Sequence, residues 1–292
     1  MNRVVPWSEL VAVIEPVYPT AEGPGRPPVG IERMRRLHCL QQGFNRSDPA
    51  VEEAGYDSRA MRQFVGIDLG REPVPDETTL CKFRHLLDAH RLGEQLFAQI
   101  GADLAAQGVT VSRGTIVDAP LISAPRSTKN RTKTRDPERH QTKNGNRWYF
   151  GMKAPIGVDS RPNVSHSVVA TAATVPDRPV LPQLLHGQEP RIWGEAAYRG
   201  HRDVIQPHAP DATSFIHATA HRHRPLSEEA RAKNRTNSTV RANVEHAFLV
   251  IKRIFGWANV RYRGLETNTH WLFVTCGLAN LYVARRRVWV GP

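Results

Sequence analysis

The sequence predicts a mixed α/β protein preceded by a small all-helical region, and three observations carry that expectation. Apolar residues recur at helical spacing from residue 29 to about 107. From Val109 the period shortens toward two, in short runs separated by turn residues. Beyond Ala173, strand-like and helix-like stretches alternate. A run of hairpin strands followed by such alternation is what a mixed sheet packed against helices requires.

Residues 1–28 read as a short helix, stopped by Pro16 and Pro19, and a Gly- and Pro-rich linker from Thr20. Within 29–107, Ile31, Met34, Leu37, Leu40 and Gln41 form one helical stripe, interrupted at Gly43. Asp57-Ser58 and Asp76-Glu77-Thr78-Thr79 supply N-caps for two further helices, one carrying Met61, Phe64 and Val65, the other Leu80, Phe83, Leu86 and Leu87. Residues 108–287 form the expected α/β domain. Val109, Val111, Thr115, Ile116 and Val117, then Leu121 and Ile122, are strand material. Residues 148–158 and 164–173 are two more strands, joined through the turn cluster Asp159-Ser160-Arg161-Pro162-Asn163. A helix at 180–186, a strand at 191–195, a strand at 213–217 and long helices at 238–256 and 267–287 complete the chain. Segment 126–147 is polar, basic and nearly free of apolar side chains, so it reads as a long surface loop.

With 292 residues the chain can build a full-sized core. Its formal net charge is +12, from Lys+Arg 40 against Asp+Glu 28. That balance suits a polyanion, because each neutralised phosphate releases counterions. GC-rich codon usage explains the excess of Arg over Lys as well as phosphate recognition does, but it does not explain the net charge. Three widely spaced cysteines exclude a zinc ribbon and a disulfide framework. The longest apolar stretch, from Trp271 to Ala284, contains Thr275 and Asn280 and falls short of the about 20 residues a membrane span needs. A cytoplasmic protein is expected.

The acids concentrate the chemistry. Placed on one helix at 100° per residue, Arg241, Glu245 and Lys252 fall within about 40° of one another. Val240, Val244, Phe248, Ile251 and Phe255 form a separate apolar stripe. One face would pack on a core while its neighbour presents a carboxylate between two cations. Asp118 follows an apolar strand and Glu195 ends another. Two-metal phosphoryl transfer needs carboxylates converging from such elements. Taken singly, each acid reads as a turn or cap residue.

The words around the acids decide between these readings. Gly114-Thr-Ile-Val-Asp118-Ala, Asp136-Pro-Glu-Arg-His-Gln-Thr-Lys-Asn-Gly-Asn-Arg-Trp-Tyr-Phe-Gly-Met-Lys153, Gly194-Glu-Ala-Ala-Tyr-Arg-Gly200, Val244-Glu-His-Ala-Phe-Leu-Val-Ile-Lys-Arg253 and Val260-Arg-Tyr-Arg-Gly264 together resemble the DDE transposases of bacterial insertion sequences. The fifth insertion-sequence group, within the fourth-group superfamily, is the nearest likeness. Asp48 to Phe64 and Pro75 to Leu80 resemble that family's N-terminal domain. The likeness spans about residues 25–287.

The resemblance implies a ribonuclease-H-like mixed-sheet catalytic core, with an all-helical N-terminal domain. It implies cutting and joining of double-stranded DNA at terminal inverted repeats and at a target, by a homodimer associated with the bacterial nucleoid. Two Mg²⁺, replaceable by Mn²⁺, would be held by Asp118, Glu195 and Glu245. Arg241 and Lys252 match the family's Arg-x3-Glu-x6-Lys signature. With Arg253, Lys129, Lys133, Arg139, Lys143 and Lys153 they are the expected DNA ligands. Ser238 stands where many superfamily members carry Tyr, so no tyrosine role carries over.

The second acid departs from the family's Gly-Asp-x-x-Tyr: this chain has Glu195, one methylene longer. Asp177 and Asp203 are the nearest spare carboxylates, and neither sits in the matching word. Gly43 and Gly55 stand where large apolar residues are usual and read as decay of a mobile-element copy. The alternative function is therefore a catalytically impaired relic that only binds DNA. Among other features, the basic residues near Trp148-Tyr149-Phe150 suit DNA contact while the aromatics suit core packing. His217, His221 and His223 lie among arginines and suit a DNA-facing loop better than a metal cluster. Arg285-Arg286-Arg287 suits a helix C-terminus. His246 reads equally as a water-positioning group or a packing residue.

Overall fold

The computed structural model describes residues 2–20, 27–109, 113–125, 134–144, 146–198, 202–220 and 225–288. The expectations for Val111, Lys129, Lys133, His221 and His223 lie outside the described residues.

Six helices come first: α1 (Trp7–Ile14), α2 (Ile31–Gly43), α3 (Asp48–Asp57), α4 (Arg59–Val65), α5 (Glu77–Ala89) and α6 (Leu92–Ala106). Ser47, Ser58 and Asp76 cap three of them, accepting from the backbone N–H of Ala50, Met61 and Thr79. Val109 belongs to the end of α6 and not to a strand: with Gly108 at φ +70°, its N–H donates to Leu104 O at 2.9 Å, closing the helix.

The main sheet contains β1 (Thr115–Asp118), β5 (Ile156–Asp159), β6 (Ser165–Val168), β8 (Arg191–Gly194) and β9 (Thr213–Ile216), in the order β6-β5-β1-β8-β9. β6, β5 and β1 are antiparallel, whereas β1, β8 and β9 run parallel. This is a ribonuclease-H-like mixed sheet. A smaller sheet joins β2 (Leu121–Ser123), β4 (Arg147–Lys153) and β3 (His140–Asn144), with β7 (Thr171–Ala172) paired to β4.

The chain crosses between the two sheets four times, and the sequence reading joined what two of these crossings divide. Residues 148–158 form β4 and β5 in different sheets, broken at Ala154-Pro155. Residues 164–173 likewise divide into β6 and β7. Pro120 and Pro155 stand at two crossings, where a residue without an N–H ends one ladder cheaply. Segment 126–147 is also not loop throughout. Polar residues 140–144 pair with β4, from His140↔Gly151 to Asn144↔Arg147, because the partner strand supplies the backbone bonds that composition does not reveal.

Alternating side chains of the main sheet feed two apolar clusters. Ile116 and Trp193 face the larger one; Val117 and Ile192 face the smaller. The larger cluster runs without interruption into the N-terminal helices, where Leu10, Met34, Leu96 and Ile100 are buried. A long helix, α10 (Leu265–Val288), lies against α6 and buries the predicted apolar run. Its two polar intruders are bonded: Thr275 donates to Gln42 Oε1 at 2.6 Å, and Asn280 exchanges three bonds with Ser165. No helix of the described residues is long and apolar enough to cross a membrane.

The expected helix at 238–256 is three segments. α8 (Glu228–Arg241) ends in a tightened turn, where Asn243 and Glu245 N–H reach carbonyls three residues back. α9 (Val244–Leu249) follows, then a π turn (Val250–Ile254) in which Phe255 N–H reaches Val250 O, five residues back. A short helix, α7 (Arg202–His208), packs against the 3₁₀ helix Arg178–Leu184, whose internal Pro182 disfavours α-helical bonding.

Gly55 is not decay. A Cβ there would lie 2.6 Å from Val74 Cγ1, so the core is built around the missing side chain. Gly43 is the last residue of α2 and has open space around it. Gly55→Ala is expected to destabilise by about 1–3 kcal/mol through overpacking. Gly101→Ala, in the middle of α6 with nothing within 4 Å, should instead stabilise by about 0.5–1 kcal/mol. Urea unfolding of the two variants checks this; equal shifts would contradict the assignment of Gly55 to packing.

Candidate active site

Asp118 is the last residue of β1, at the point where the chain leaves the main sheet. Glu195 follows β8, the parallel neighbour of β1, directly after Gly194. A Cβ on Gly194 would come within 2.9 Å of Val117 Cγ2, so glycine lets the end of β8 close on the end of β1. Glu245 stands in the first turn of α9. Strand register and helix placement therefore bring three acids from distant sequence positions to one cleft of about 580 Å³. Arg241, Lys252 and Arg253 line the same cleft, with Tyr149, Leu121, Phe248 and Leu249.

The break after α8 does not scatter the predicted cluster. Arg241 ends α8 and approaches Glu195, with Nη1 3.7 Å from Oε2. The π turn carries Lys252 across to β2, where Nζ donates to Leu121 O at 3.1 Å. Arg253 is exposed.

The electrostatics are those of a buried carboxyl among charges of both signs. The Asp118 carboxyl is pushed up to about 6, first by burial, then by Glu195 and Glu245, while Arg241 and the Ala119 N–H pull it down. Burial also lowers the Lys252 ammonium, with Asp118 and Glu245 opposing. Among the described residues, no three His, Cys, Asp or Glu side chains are gathered tightly enough to hold an ion. The donor chemistry nevertheless fits a hard divalent cation. Carboxylate oxygens are its preferred ligands, and a cation would offset the burial and the repulsion that raise Asp118.

Residues 110–281 match the family model described as Transposase DDE domain, and residues 1–86 match that described as Transposase domain (DUF772). The chain belongs to the DDE transposases. Both matches are typical of bacterial insertion-sequence enzymes, a DNA-cleaving family that generally uses divalent metal ions. No solved structure matches the chain.

Two of the transposase's expected DNA ligands are turned inward, and that expectation is corrected. Arg139 is buried: its Nε donates to Asp136 at 2.8 Å and its Nη2 to Tyr262 O at 2.6 Å. Lys153 binds Asp177 at 2.8 Å and Val175 O at 2.9 Å. Both cations hold loops to the smaller sheet. Lys143 is exposed on β3, opposite Trp148. The aromatics divide along β4, which is exposed at its start and buried toward its end. Phe150 is buried, Tyr149 lines the cleft and Trp148 is 59% exposed. Core packing for all three is thus corrected. His246 is exposed and does not line the cleft, and His217 lies 3.4 Å from Ser238 Oγ. Tyr149 and Leu249 were not expected in the cleft; the only sequence signal was apolar residues beside charged ones.

A carboxyl raised from 3.8 to about 6 binds its proton more tightly in the folded state. Its contribution to stability is full below pH 4 and is lost as pH rises through 6, by up to about 3 kcal/mol. Asp118→Asn escapes that loss. In metal-free protein its stability relative to the natural chain should therefore improve between pH 4 and pH 7.5, as read by urea unfolding. A difference that stays flat with pH would contradict the origin given for the shift.

Proposed function

We propose that this transposase binds the ends of its insertion sequence and catalyses divalent-metal-dependent cleavage and strand transfer. What supports the reading is one juxtaposition: Asp118, Glu195 and Glu245 line a single cleft that also presents Arg241, Lys252 and Arg253. Asp118, Glu195 and Glu245 are the residues that would hold Mg²⁺ or Mn²⁺. The metal supplies Lewis-acid stabilisation of the entering and leaving oxygens.

The chain's own residues do the rest. Arg253, exposed at the cleft edge, and Lys143, exposed on β3, neutralise backbone phosphates. Lys252 is fixed by Leu121 O, so its ammonium is pre-oriented rather than recruited. Arg241 pairs with Glu195 until a phosphate offers a better partner, and its release frees that acid to act as a ligand. Water then attacks the phosphodiester at the element end and the bond to the 3′ oxygen breaks; the freed 3′-hydroxyl attacks a target phosphodiester and displaces the target strand's own 3′ oxygen. Acids that sit at strand ends and on a packed helix need little reorganisation to serve both attacks.

A second reading, a transposase that binds DNA without cutting it, is favoured by one observation. Glu195, longer than Asp, reaches toward Arg241 and not into a three-acid group. Labelled terminal-repeat duplex incubated with Mg²⁺ or Mn²⁺ separates the two. The natural protein should cut, while Asp118→Asn and Glu245→Gln should lose at least about 100-fold in rate with DNA binding retained. Cutting by Glu195→Asp alone would establish the second reading, and cutting by Asp118→Asn would overturn the first.

A further inference from the structure

Tyr198 is fully buried three residues after Glu195, in the short 3₁₀ turn Ala196–Tyr198. Its ring fills the smaller apolar cluster beside Val117, Leu181, Leu184 and Ile192. The turn is tied back by Tyr198 N–H donating to Glu195 O at 3.1 Å. Packing explains the ring but not the hydroxyl, which has no hydrogen-bond partner among the described residues. A phenylalanine would fill the same space without burying an unpaired polar group, so the oxygen is destabilising unless something else uses it.

The surroundings show what could. Burial first, and then the charges of Asp177, Asp118 and Glu195, hold the phenol firmly in its protonated, donor form. Asp177 is already bound by Lys153 at 2.8 Å, and Lys153 is itself anchored on Val175 O. Asp118 accepts a bond from its neighbour, Ala119 N–H, at 3.1 Å and stands among like charges.

We propose that Tyr198 is a positioning residue of the transposase. Its hydroxyl donates to the Asp118 carboxylate when the acids close on a divalent ion, orienting that carboxylate and sharing its charge. The assignment rests on the metal reading given under the proposed function. It makes the Gly194–Tyr198 segment a single device: glycine allows close approach, Glu195 supplies a ligand, and Tyr198 steadies the acid on the neighbouring strand. Carboxylate ligands without such an outer donor typically bind metal 10- to 100-fold more weakly.

Mn²⁺ titration followed by electron paramagnetic resonance, with thermal melting alongside, tests this on the full chain without DNA. Tyr198→Phe should melt at or above the natural protein's temperature and bind Mn²⁺ about tenfold more weakly or worse. In an Asp118→Asn background the same substitution should change Mn²⁺ affinity no further. Unchanged Mn²⁺ affinity in Tyr198→Phe overturns the assignment and leaves the metal reading standing. An equal loss in both backgrounds also overturns it, because the hydroxyl would then act elsewhere. If the natural protein binds no Mn²⁺, the metal reading fails and the assignment with it.

Discussion

A half-buried carboxylate that shares its cleft with two others is costly to ionise, and a nearby cation lowers that cost. The organisation of this transposase follows from where that cost is placed. Asp118 ends a strand whose preceding side chains are all buried, so its carboxyl is taken out of water by the sheet itself. Arg241 then pulls the carboxyl back down, while Glu195 and Glu245 push it up. The protein tolerates the arrangement because the acids sit on elements fixed by the core: parallel strands joined by their register and a helix anchored through Val244 and Phe248. A carboxyl held buried among other acids by packing favours a divalent ion or a basic partner.

The same core explains why the cleft lies at the seam of two sheets. Twice the chain passes from the main sheet to the smaller one, and Asp118 immediately precedes the first passage at Ala119-Pro120. The smaller sheet contributes Leu121 O, which fixes Lys252, and Tyr149, which walls the cleft. Arg139 and Lys153 are spent on holding that sheet to the loops around it. Cations that composition alone would send to DNA thus belong to two populations, and burial separates them.

Much of this was legible in the sequence because it depends on local pattern. Caps at Ser58 and Asp76, the strand before Asp118 and the strand before Glu195 are written in residue type and period. The three acids were readable through the words around them, since spacing alone leaves each as a turn residue. What was not legible depends on partners distant in the chain. The polar strand 140–144 exists because β4 lies beside it, and the split of 148–158 depends on which sheet each half joins. Gly55 looked like a lost side chain until Val74 was placed against it. The break after Arg241 left the cluster intact because the tightened turn and the later π turn shift the helical phase in opposite senses.

The central claim is that one divalent ion site draws ligands from β1, the end of β8 and α9. Replacing Mg²⁺ with Fe²⁺ and adding ascorbate and peroxide generates hydroxyl radical at the bound ion, which cuts the polypeptide nearby. The account predicts three scissions together, beside Asp118, Glu195 and Glu245, all suppressed by excess Mg²⁺. Scission at only one of the three, or a pattern indifferent to Mg²⁺, would contradict it.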